Sequence, residues 1–274
     1  MIKTIGKNTY FIFILLALLG TPSLAQTDTN ETQKPLEITA EKSLEWFRTE
    51  QKVIARGNAK ASQEKSSITA ETLSANYREG KQGRFEISKL FADENVVIET
   101  NSANAFGDKA VYNLDQSIAT LTGENLRMIS PDQTVTAKDR FEYHVNKGQL
   151  LAIGDAIAIR PNINGGQDRL NANTISATFK NNANGERVLE TLEAKGNVII
   201  TTPTEKVTGA YGIYRANTNK AEITGNVVIT RGPNTLEGER AEVDLNTNKS
   251  RIFGGGNTNN GRVKAVFFPG SNEE

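Results

Sequence analysis

Residues 196–201 read Gly196-Asn197-Val198-Ile199-Ile200-Thr201, and 29 residues later, from position 196 to position 225, the chain reads Gly225-Asn226-Val227-Val228-Ile229-Thr230. A second pair has the same offset, because Asn217-Thr218-Asn219-Lys220 recurs as Asn246-Thr247-Asn248-Lys249. Self-similarity at a fixed period is typical of an array that stacks one small supersecondary unit. Such an array more often provides a long surface or groove than a compact catalytic pocket.

Weaker copies of this unit can be traced outward from the strongest pair. Asn95-Val96-Val97-Ile98 aligns with residues 226–229, and Gly57-Asn58, Gly123-Glu124 and Gly154-Asp155 open further units. The spacing between successive units is uneven. The longer spacings contain residues 77–84 and 161–167, whose Gly, Asn and Pro content predicts elongated loops.

Inside each unit the apolar residues alternate with polar ones. Two sets show it best: Leu90, Ala92, Val96 and Ile98, and Leu192, Ala194, Val198 and Ile200. Alternation with β-branched residues predicts half-buried strands separated by turns that contain Asn, Asp and Gly. No stretch of about 12 residues after the N-terminal segment keeps a helical period. The sequence therefore predicts an all-β fold of stacked repeats, with roughly 12 to 16 strands in one array.

The first 25 residues are typical of an export signal. Lys3 and Lys7 precede an apolar run at residues 10–20, and Ser23-Leu24-Ala25 supplies small residues for cleavage. The run is shorter than the roughly 20 residues that span a bilayer, although an uncleaved anchor is the alternative. We expect a signal peptide at 1–25, a flexible leader at 26–35, one β domain at 36–269 and a tail at 270–274.

Composition argues against several classes of function. Loss of Lys3 and Lys7 with the signal changes the balance from 32 basic and 32 acidic side chains to 30 and 32, without a basic stripe. A protein that tracks nucleic-acid phosphates normally has such a stripe. The chain has no cysteine and one histidine, His144, so zinc sites of the usual Cys/His kind are excluded.

Catalytic signals are weak throughout the sequence. His144 lies in a strand-like run, where an exposed structural histidine is the simpler interpretation. Carboxylates such as Glu239, Glu242 and Asp244 lie opposite the apolar residues and indicate a solvated surface rather than an acid/base pair. Gly254-Gly255-Gly256 lacks the sequence of a phosphate loop. We expect no enzyme activity, no cofactor and no metal site.

The two ends of the array differ from ordinary polar caps. The first strand region contains Ile38-Thr39-Ala40-Glu41 and Leu44-Glu45-Trp46, and the last run contains Val266-Phe267-Phe268. Terminal strands carry unpaired backbone groups that can accept another strand from a partner. We expect a pairing surface at the C-terminal run; the alternative is that these residues tuck under the last turn.

With the repeated Gly-Asn-Val units, the Ile-Thr-Ala-Glu run at residues 68–71 and the closing Arg-Val-Lys-Ala-Val-Phe-Phe-Pro at 262–269, the chain resembles the LptA/OstA family of periplasmic lipopolysaccharide-transport proteins. The resemblance covers about residues 36–269. It implies an open, slightly twisted β-jellyroll whose apolar interior holds the acyl chains of lipid A. It also implies a periplasmic location and end-to-end stacking through edge strands, head-to-tail between copies and with inner-membrane and outer-membrane partners that share the fold. The extra length and uneven spacings depart from the family pattern.

The candidate lipid-binding residues are apolar side chains expected to share one strand face: Ile38, Ala40, Trp46, Ile68, Leu73, Phe91, Val96, Ile98, Phe106, Val198, Ile200, Val227 and Ile229. They could equally form an ordinary sandwich core with no room for a ligand. Two other classes remain open at this stage. One is a secreted structural or adhesive β-solenoid without a lipid, and the other is a carbohydrate-active β-helix enzyme, although only one Trp is present.

Overall fold

A computed structural model describes residues 36–79, 85–161, 166–183, 187–247, 249–255 and 261–268. The predicted signal peptide (1–25), leader (26–35) and tail (270–274) lie outside these residues. So do residues 80–84 and 162–165, which make up much of the two predicted loops. Within the described ranges, no helix is both long and apolar enough to cross a membrane.

The described chain consists of eighteen strands and one 3₁₀ turn at Val145–Lys147. The strands are β1 (Glu37–Thr39), β2 (Ser43–Phe47), β3 (Lys52–Gln63), β4 (Ser66–Glu79), β5 (Phe85–Glu99), β6 (Asn104–Asn113), β7 (Ile118–Thr122), β8 (Arg127–Ile129), β9 (Thr134–Thr136), β10 (Arg140–His144), β11 (Gln149–Pro161), β12 (Gln167–Asn181), β13 (Arg187–Thr201), β14 (Lys206–Arg215), β15 (Lys220–Arg231), β16 (Asn234–Asp244), β17 (Lys249–Phe253) and β18 (Lys264–Val266). The predicted fold class, an all-β jellyroll of stacked repeats, is confirmed. The strands outnumber the expected 12 to 16 because β1, β8, β9 and β18 have only three residues each.

The chain divides into two compact units. Of the described residues, the N-terminal unit contains those within 36–156 and 178–188, and the C-terminal unit contains those within 157–177 and 189–268. The long strands β11, β12 and β13 each begin in one unit and end in the other. The expectation of one β domain over residues 36–269 stays a prediction.

In the N-terminal unit the strands pair antiparallel with their neighbours in sequence. β3 pairs with both β1 and β2, which lie end to end along the same strand, and then β4, β5 and β6 follow in order. β6 is flanked in the same way by β7 and β8. β10 pairs with β7 and with the start of β11. Short hairpin connections and sequential pairing are the expected result of a repeat of this length.

The C-terminal unit uses the same arrangement. β13, β14, β15 and β16 pair antiparallel in sequence order, and β16 is flanked on its far side by both β17 and β18. In each unit, one long strand therefore pairs with two short strands on the same side: β3 with β1 and β2, and β16 with β17 and β18.

The repeated Gly-Asn pairs lie inside long strands and bend them. Gly57-Asn58, Gly196-Asn197 and Gly225-Asn226 all have positive φ at both residues, as do Glu94-Asn95 and Gly154-Asp155. Where the register of these strands is described, it shifts at the same positions. Two such residues add a bulge, and the inward-facing positions on either side become four residues apart instead of two. Glycine and asparagine tolerate positive φ, and here they bend a continuous strand.

A buried valine follows three of these bends and lies opposite a glycine of the next strand. The pairs are Val96 with Gly107, Val198 with Gly209, and Val227 with Gly238. The valines are 1%, 1% and 0% exposed. A Cβ on Gly238 would lie 2.6 Å from Ile252 Cγ1 and 2.7 Å from the carbonyl oxygen of Phe253. Glycine at these positions therefore allows the bent strands to approach closely.

Candidate functional site

The register of the N-terminal unit gathers apolar side chains into rows that run across the strands. Two rows lie between the bends and the turns at 47–52, 113–118 and 144–149. Residues directly opposite each other in a strand pair point the same way, and the two rows are two residues apart on each strand. Both rows therefore lie on one face. The first row is Leu44, Ala55, Leu73, Ala92, Ala110, Leu121, Phe141 and Ala152, and the second is Trp46, Val53, Ala75, Leu90, Tyr112, Ala119, Tyr143 and Leu150.

Beyond the bends, the same face continues in a row without any aromatic ring. This row is Ile38, Ala61, Ile68, Ile98, Ala105, Met128 and Val135. Ala105, Met128 and Val135 are buried, whereas Ile38, Ile68 and Ile98 are only half-buried. The apolar face therefore keeps accessible surface near the first strands of the unit.

The C-terminal unit carries an equivalent apolar face. Ile223, Val227 and Ala241 form a buried cluster, against which Ile200, Val207, Ile229 and Ile252 pack. The cluster includes residues from both sides of the bend in β15, so both halves of each strand line one interior. As in the first unit, the isoleucines farthest from the bend, Ile200 and Ile229, stay half-buried.

Eleven of the thirteen candidate residues lie on these apolar faces. Ten are placed there by their cross-strand partners: Ile38, Trp46, Ile68, Leu73, Val96, Ile98, Val198, Ile200, Val227 and Ile229. Ala40 lies two residues beyond Ile38 and is half-buried. The register thus brings together, within each unit, candidates that are far apart in sequence.

Phe91 and Phe106 do not share this face, which corrects their assignment. Phe91 pairs with Ser74 and Val111, in the row between the two apolar rows. Phe106 pairs with Val97, and the guanidinium of Arg127 lies 4.3 Å above its ring. Both phenylalanines point to the opposite surface and are half-buried there, and a cation–π contact stabilises the Phe106 ring. Strict alternation with Leu90 and Ala92 would have placed Phe91 correctly.

Aromatic residues with a polar tip cluster on one part of the apolar face. Trp46 Nε1 donates to Tyr77 Oη over 2.7 Å, and the Arg187 guanidinium donates to Tyr143 Oη. In the C-terminal unit, Tyr214 Oη donates to Asn219 Oδ1 over 3.0 Å. Burial raises the pKa of the Tyr143 phenol, which the nearby Arg187 only partly offsets, and burial also raises the pKa of Tyr112. These phenols therefore remain neutral hydrogen-bonding groups at any ordinary pH.

Large apolar side chains are exposed at the terminal strands. At the N-terminal edge, Leu44 is 61% and Trp46 50% exposed, and after β18 Phe267 is 65% and Phe268 60% exposed. Among the described residues, β1 and β2 pair only with β3, and β17 and β18 pair only with β16. Both edges thus combine unpaired backbone groups with apolar surface, as expected for strands that accept a partner. The exposure of Phe267 and Phe268 contradicts the alternative that the C-terminal run tucks under the last turn.

Polar groups elsewhere form local ion pairs rather than a catalytic constellation. His144 Nε2 lies 2.5 Å from Glu142 Oε1, and Arg140 Nε lies 2.9 Å from Glu142 Oε2. Burial would raise the pKa of Glu142, but hydrogen bonds from Arg140 and His144 outweigh it and hold the pKa below its ordinary value. His144 is half-buried, not exposed as expected. Within the described ranges, no group of His, Asp and Glu is arranged to hold a metal ion.

A recess on the C-terminal unit is lined mainly by charged side chains. It is formed by Arg215, Thr218, Lys220, Ala221, Glu222, Glu242, Val243, Asp244, Lys249 and Arg251. Basic and acidic groups alternate there, and Lys220 pairs with Asp244 at 3.5 Å. This surface is solvated and offers no apolar site.

The sequence matches the model of one protein family twice. The family is described as LptA/(LptD N-terminal domain) LPS transport protein, and the matches cover residues 37–149 and 139–249. The chain belongs to this family. The two matches begin at β1 and just before β10, so the family pattern is present twice in succession. The suspected membership is confirmed, and with it the assignment to lipopolysaccharide (LPS) transport proteins.

One similar solved structure is that of LptH from Pseudomonas aeruginosa, described as the LptA homologous periplasmic component of the conserved lipopolysaccharide transport device. The two chains are 12% identical, and the match covers 86% of this chain and 96% of LptH with a TM-score of 0.22. Identity and TM-score are both too low for this likeness to support the assignment, which rests on the family match. No curated protein matches the chain.

Proposed function

We propose that this protein is a periplasmic bridge that binds LPS, shields its lipid A acyl chains on the apolar faces, and passes it from the inner to the outer membrane. The observation that carries the proposal is the apolar face of each unit, which runs across every described strand pair and leaves half-buried isoleucines accessible at its margin. Family membership supplies the substrate class. No catalytic step, cofactor or metal is part of this function.

The physical need for such a face is large. At about 0.8 kcal/mol per CH₂, a 12-carbon acyl chain costs on the order of 10 kcal/mol to expose to water. A lipid with several chains therefore cannot cross an aqueous compartment unshielded. Rows of similar apolar side chains, repeated along successive strands, offer equivalent environments at each step. They favour sliding along the face over tight binding at one point.

The accessible margin separates this proposal from an ordinary sandwich core. A closed core would bury Ile68, Ile98, Ile200 and Ile229 as fully as Val96 and Val227. These four side chains are instead half-buried on the apolar face. We assign the face to lipid on this ground, with Ile38, Ala40, Trp46 and Leu73 as further contacts.

Transfer between molecules is proposed to use the two edges. An edge strand with unpaired N–H and C=O groups can pair with the edge of another chain, which would extend the apolar face. Leu44 and Trp46 at one edge, and Phe267 and Phe268 at the other, would become buried in such a contact. We propose inner-membrane and outer-membrane transport partners of the same fold, and head-to-tail pairing between copies of this chain. The predicted cleavable signal and the family membership support the proposed periplasmic location.

The binding proposal is tested by comparing LPS with the same molecule stripped of its acyl chains. The protein, exported and freed of its signal, is titrated with each form below its micelle-forming concentration. Because the acyl chains supply the binding free energy, we expect deacylated saccharide to bind at least a thousandfold more weakly. Equal affinity for both forms would contradict the proposal.

The edge proposal is tested by sedimentation at increasing protein concentration. Replacing both Phe267 and Phe268 by Ser should abolish concentration-dependent association. The matched control is Val111→Ser, since Val111 is also exposed but lies on β6, which has partners on both sides. Unchanged association in the double variant would exclude the C-terminal edge as the contact.

A further inference from the structure

Aromatic residues on the apolar face are confined to one side of the bends. Four of the five described tyrosines (Tyr77, Tyr112, Tyr143 and Tyr214) and the only Trp, Trp46, lie on strand segments that run from the bends to the turns at 47–52, 113–118, 144–149 and 216–219. We call this part of the face the tyrosine side. The fifth tyrosine, Tyr211, points to the opposite surface, where Lys195 lies 6.0 Å from its ring.

On the other side of the bends, the row of paired residues contains only aliphatic side chains and Met128, and the buried polar Gln133 lies two residues before its last member. In the N-terminal unit the row is Ile38, Ala61, Ile68, Ile98, Ala105, Met128 and Val135. We call it the aliphatic side. None of the side chains in this row has a hydrogen-bonding hydroxyl or N–H group, so the row itself offers a ligand only apolar contact.

The tyrosine side of the N-terminal unit also contains a cation. Arg187 is half-buried, its guanidinium donates to Tyr143 Oη, and its charge lies 5.7 Å from the centre of the Tyr143 ring. Its Nε is buried and meets no acceptor among the described residues. A buried donor without an acceptor is costly, and an anionic oxygen brought in by a ligand would satisfy it.

An amphiphile bound to such a face experiences two different environments. Tyrosine and tryptophan place an apolar ring beside hydrocarbon and a polar tip toward a polar group, and for this reason they concentrate where lipid tails meet headgroups. Arginine is well suited to phosphate, which it can bind through two parallel hydrogen bonds. The aliphatic side matches acyl chains only.

We propose that the N-terminal unit binds LPS in one orientation, with the phosphorylated sugar headgroup at the tyrosine side, near Tyr112 and Arg187, and the acyl chains extending over the aliphatic side. This orientation rests on the proposed function and specifies how its ligand lies. The half-buried Tyr112 would meet a sugar hydroxyl and Arg187 a phosphate oxygen, while the buried Tyr143 holds the Arg187 guanidinium in place.

Two matched alanines allow a direct test, because the chain has no native cysteine. Ala119 lies between Tyr112 and Tyr143 on the tyrosine side, and Ala61 lies between Ile38 and Ile68 on the aliphatic side. Both are half-buried residues of the same unit and face. Ala119→Cys and Ala61→Cys are each labelled with the small fluorophore bimane, and quenching is measured with lipid A that carries a nitroxide either at an acyl-chain end or on the sugar.

We expect the acyl-chain nitroxide to quench the label at position 61 several-fold more than that at 119, and the sugar nitroxide to show the reverse order. Equal quenching at the two positions, or the opposite order, would overturn the orientation while leaving lipid binding intact. No quenching at either position in the folded protein would instead contradict the proposed function itself.

A second test uses the charge of Arg187. Arg187→Gln should weaken binding of bisphosphorylated lipid A about tenfold and leave phosphatase-treated lipid A unaffected, while Arg187→Lys should retain most of the phosphate preference. A purely structural role for Arg187 would lower affinity for both lipids by the same factor, and that result would exclude the phosphate contact.

Discussion

The two units repeat one backbone pattern but line it with different side chains. Both bend their strands at paired residues of positive φ, and both place a buried valine opposite a glycine at the bend, as Val96 and Gly107 do in the first unit and Val227 and Gly238 in the second. The N-terminal unit adds Trp46, Tyr112 and Tyr143 to its apolar face. The C-terminal unit is lined there mainly by Ile, Val and Ala, and carries only Tyr214.

This difference separates what the fold requires from what the ligand requires. Bends and valine–glycine pairs recur because each unit must bury one face of strongly bent strands. Aromatic residues are free to differ, and they concentrate where we place a sugar headgroup. Substitutions in the shared pattern should therefore change stability in both units alike, whereas substitutions on the apolar face should change lipid binding.

The largest effect is expected from a charge placed on either apolar face. Ile98→Asp in the N-terminal unit and Ile200→Asp in the C-terminal unit should each abolish LPS loading, since an unpaired carboxylate is strongly disfavoured beside acyl chains. Lys195→Asp, on the opposite surface, should bind as the unaltered protein does. Loading is measured by co-purification of LPS with each folded variant. Equal losses in all three would contradict the assignment of the face.

A smaller effect is expected when the valine–glycine pairing is overfilled. Gly107→Val and Gly238→Val should each lower the free energy of unfolding by about 1–3 kcal/mol. A Cβ at Gly107 would lie 2.8 Å from Leu121 Cδ1, and one at Gly238 2.6 Å from Ile252 Cγ1. Urea denaturation measures the change. If only one variant were destabilised, the two units would not share the close valine–glycine packing at the bends.

The bends themselves give a prediction of opposite sign in the two units. Glu94 is the first residue of the bend in β5 and has a φ of 68°. The other bends have glycine at this position, for example Gly225 with a φ of 85°. Glu94→Gly should therefore stabilise the protein, by about 0.5–1 kcal/mol. Gly225→Ala should destabilise it by more than that, because its Cβ would lie 2.6 Å from Ala210 Cβ. Thermal denaturation of the two variants provides the comparison, and a loss of stability in Glu94→Gly would count against strain at that bend.

The smallest effect concerns equivalent turns that differ in charge. Asp244 Oδ1 accepts hydrogen bonds from Thr247 N and Asn246 N, and the backbone donor of Thr247 is the main reason why the pKa of Asp244 is lowered. In the N-terminal unit, neutral Asn113 accepts from Gln116 N at the same point of the repeat.

A carboxylate with a folded pKa below its unfolded value stabilises the protein above the unfolded value and loses this contribution as the pH falls through the folded pKa. Asp244→Asn should therefore slightly reduce the fall in melting temperature between pH 6 and pH 3. Asn113→Ser, which keeps a neutral acceptor, should leave that fall unchanged, and so serves as the control.

Much of the fold could be predicted from the repeat, because the alternation of Leu192, Ala194, Val198 and Ile200 already contains the widened step at the bend. The residues alone do not show that this widened step is a bend within one continuous strand. Gly-Asn is typical of tight turns, and only the register shows that it bends a strand whose two halves line one interior. The double family match, and the division into two units, were hidden by uneven spacing between repeats.

The apolar face was predicted well where residues follow the alternation, and poorly where apolarity alone decided. Phe91 and Phe106 are apolar but do not belong to the same-face sets, and alternation places Phe91 on the opposite surface. Tyr112, Tyr143 and Arg187 were missed because they are partly polar and are brought together only by pairing between strands distant in sequence. Tyrosines recurring two residues after inward-facing alanines, as Ala75-Asn76-Tyr77 and Ala110-Val111-Tyr112 do, were the available signal.

The most direct test of the account is photocrosslinking to LPS at neighbouring positions on the same strand. Ile98 and Val97 in the N-terminal unit, and Ile229 and Val228 in the C-terminal unit, are all half-buried but alternate between the two faces. A photoreactive residue is placed at each position in the exported protein. We predict adducts at positions 98 and 229 and none at 97 and 228. Equal adducts at both members of a pair, or none at any position in the folded protein, would contradict an apolar face that carries lipid.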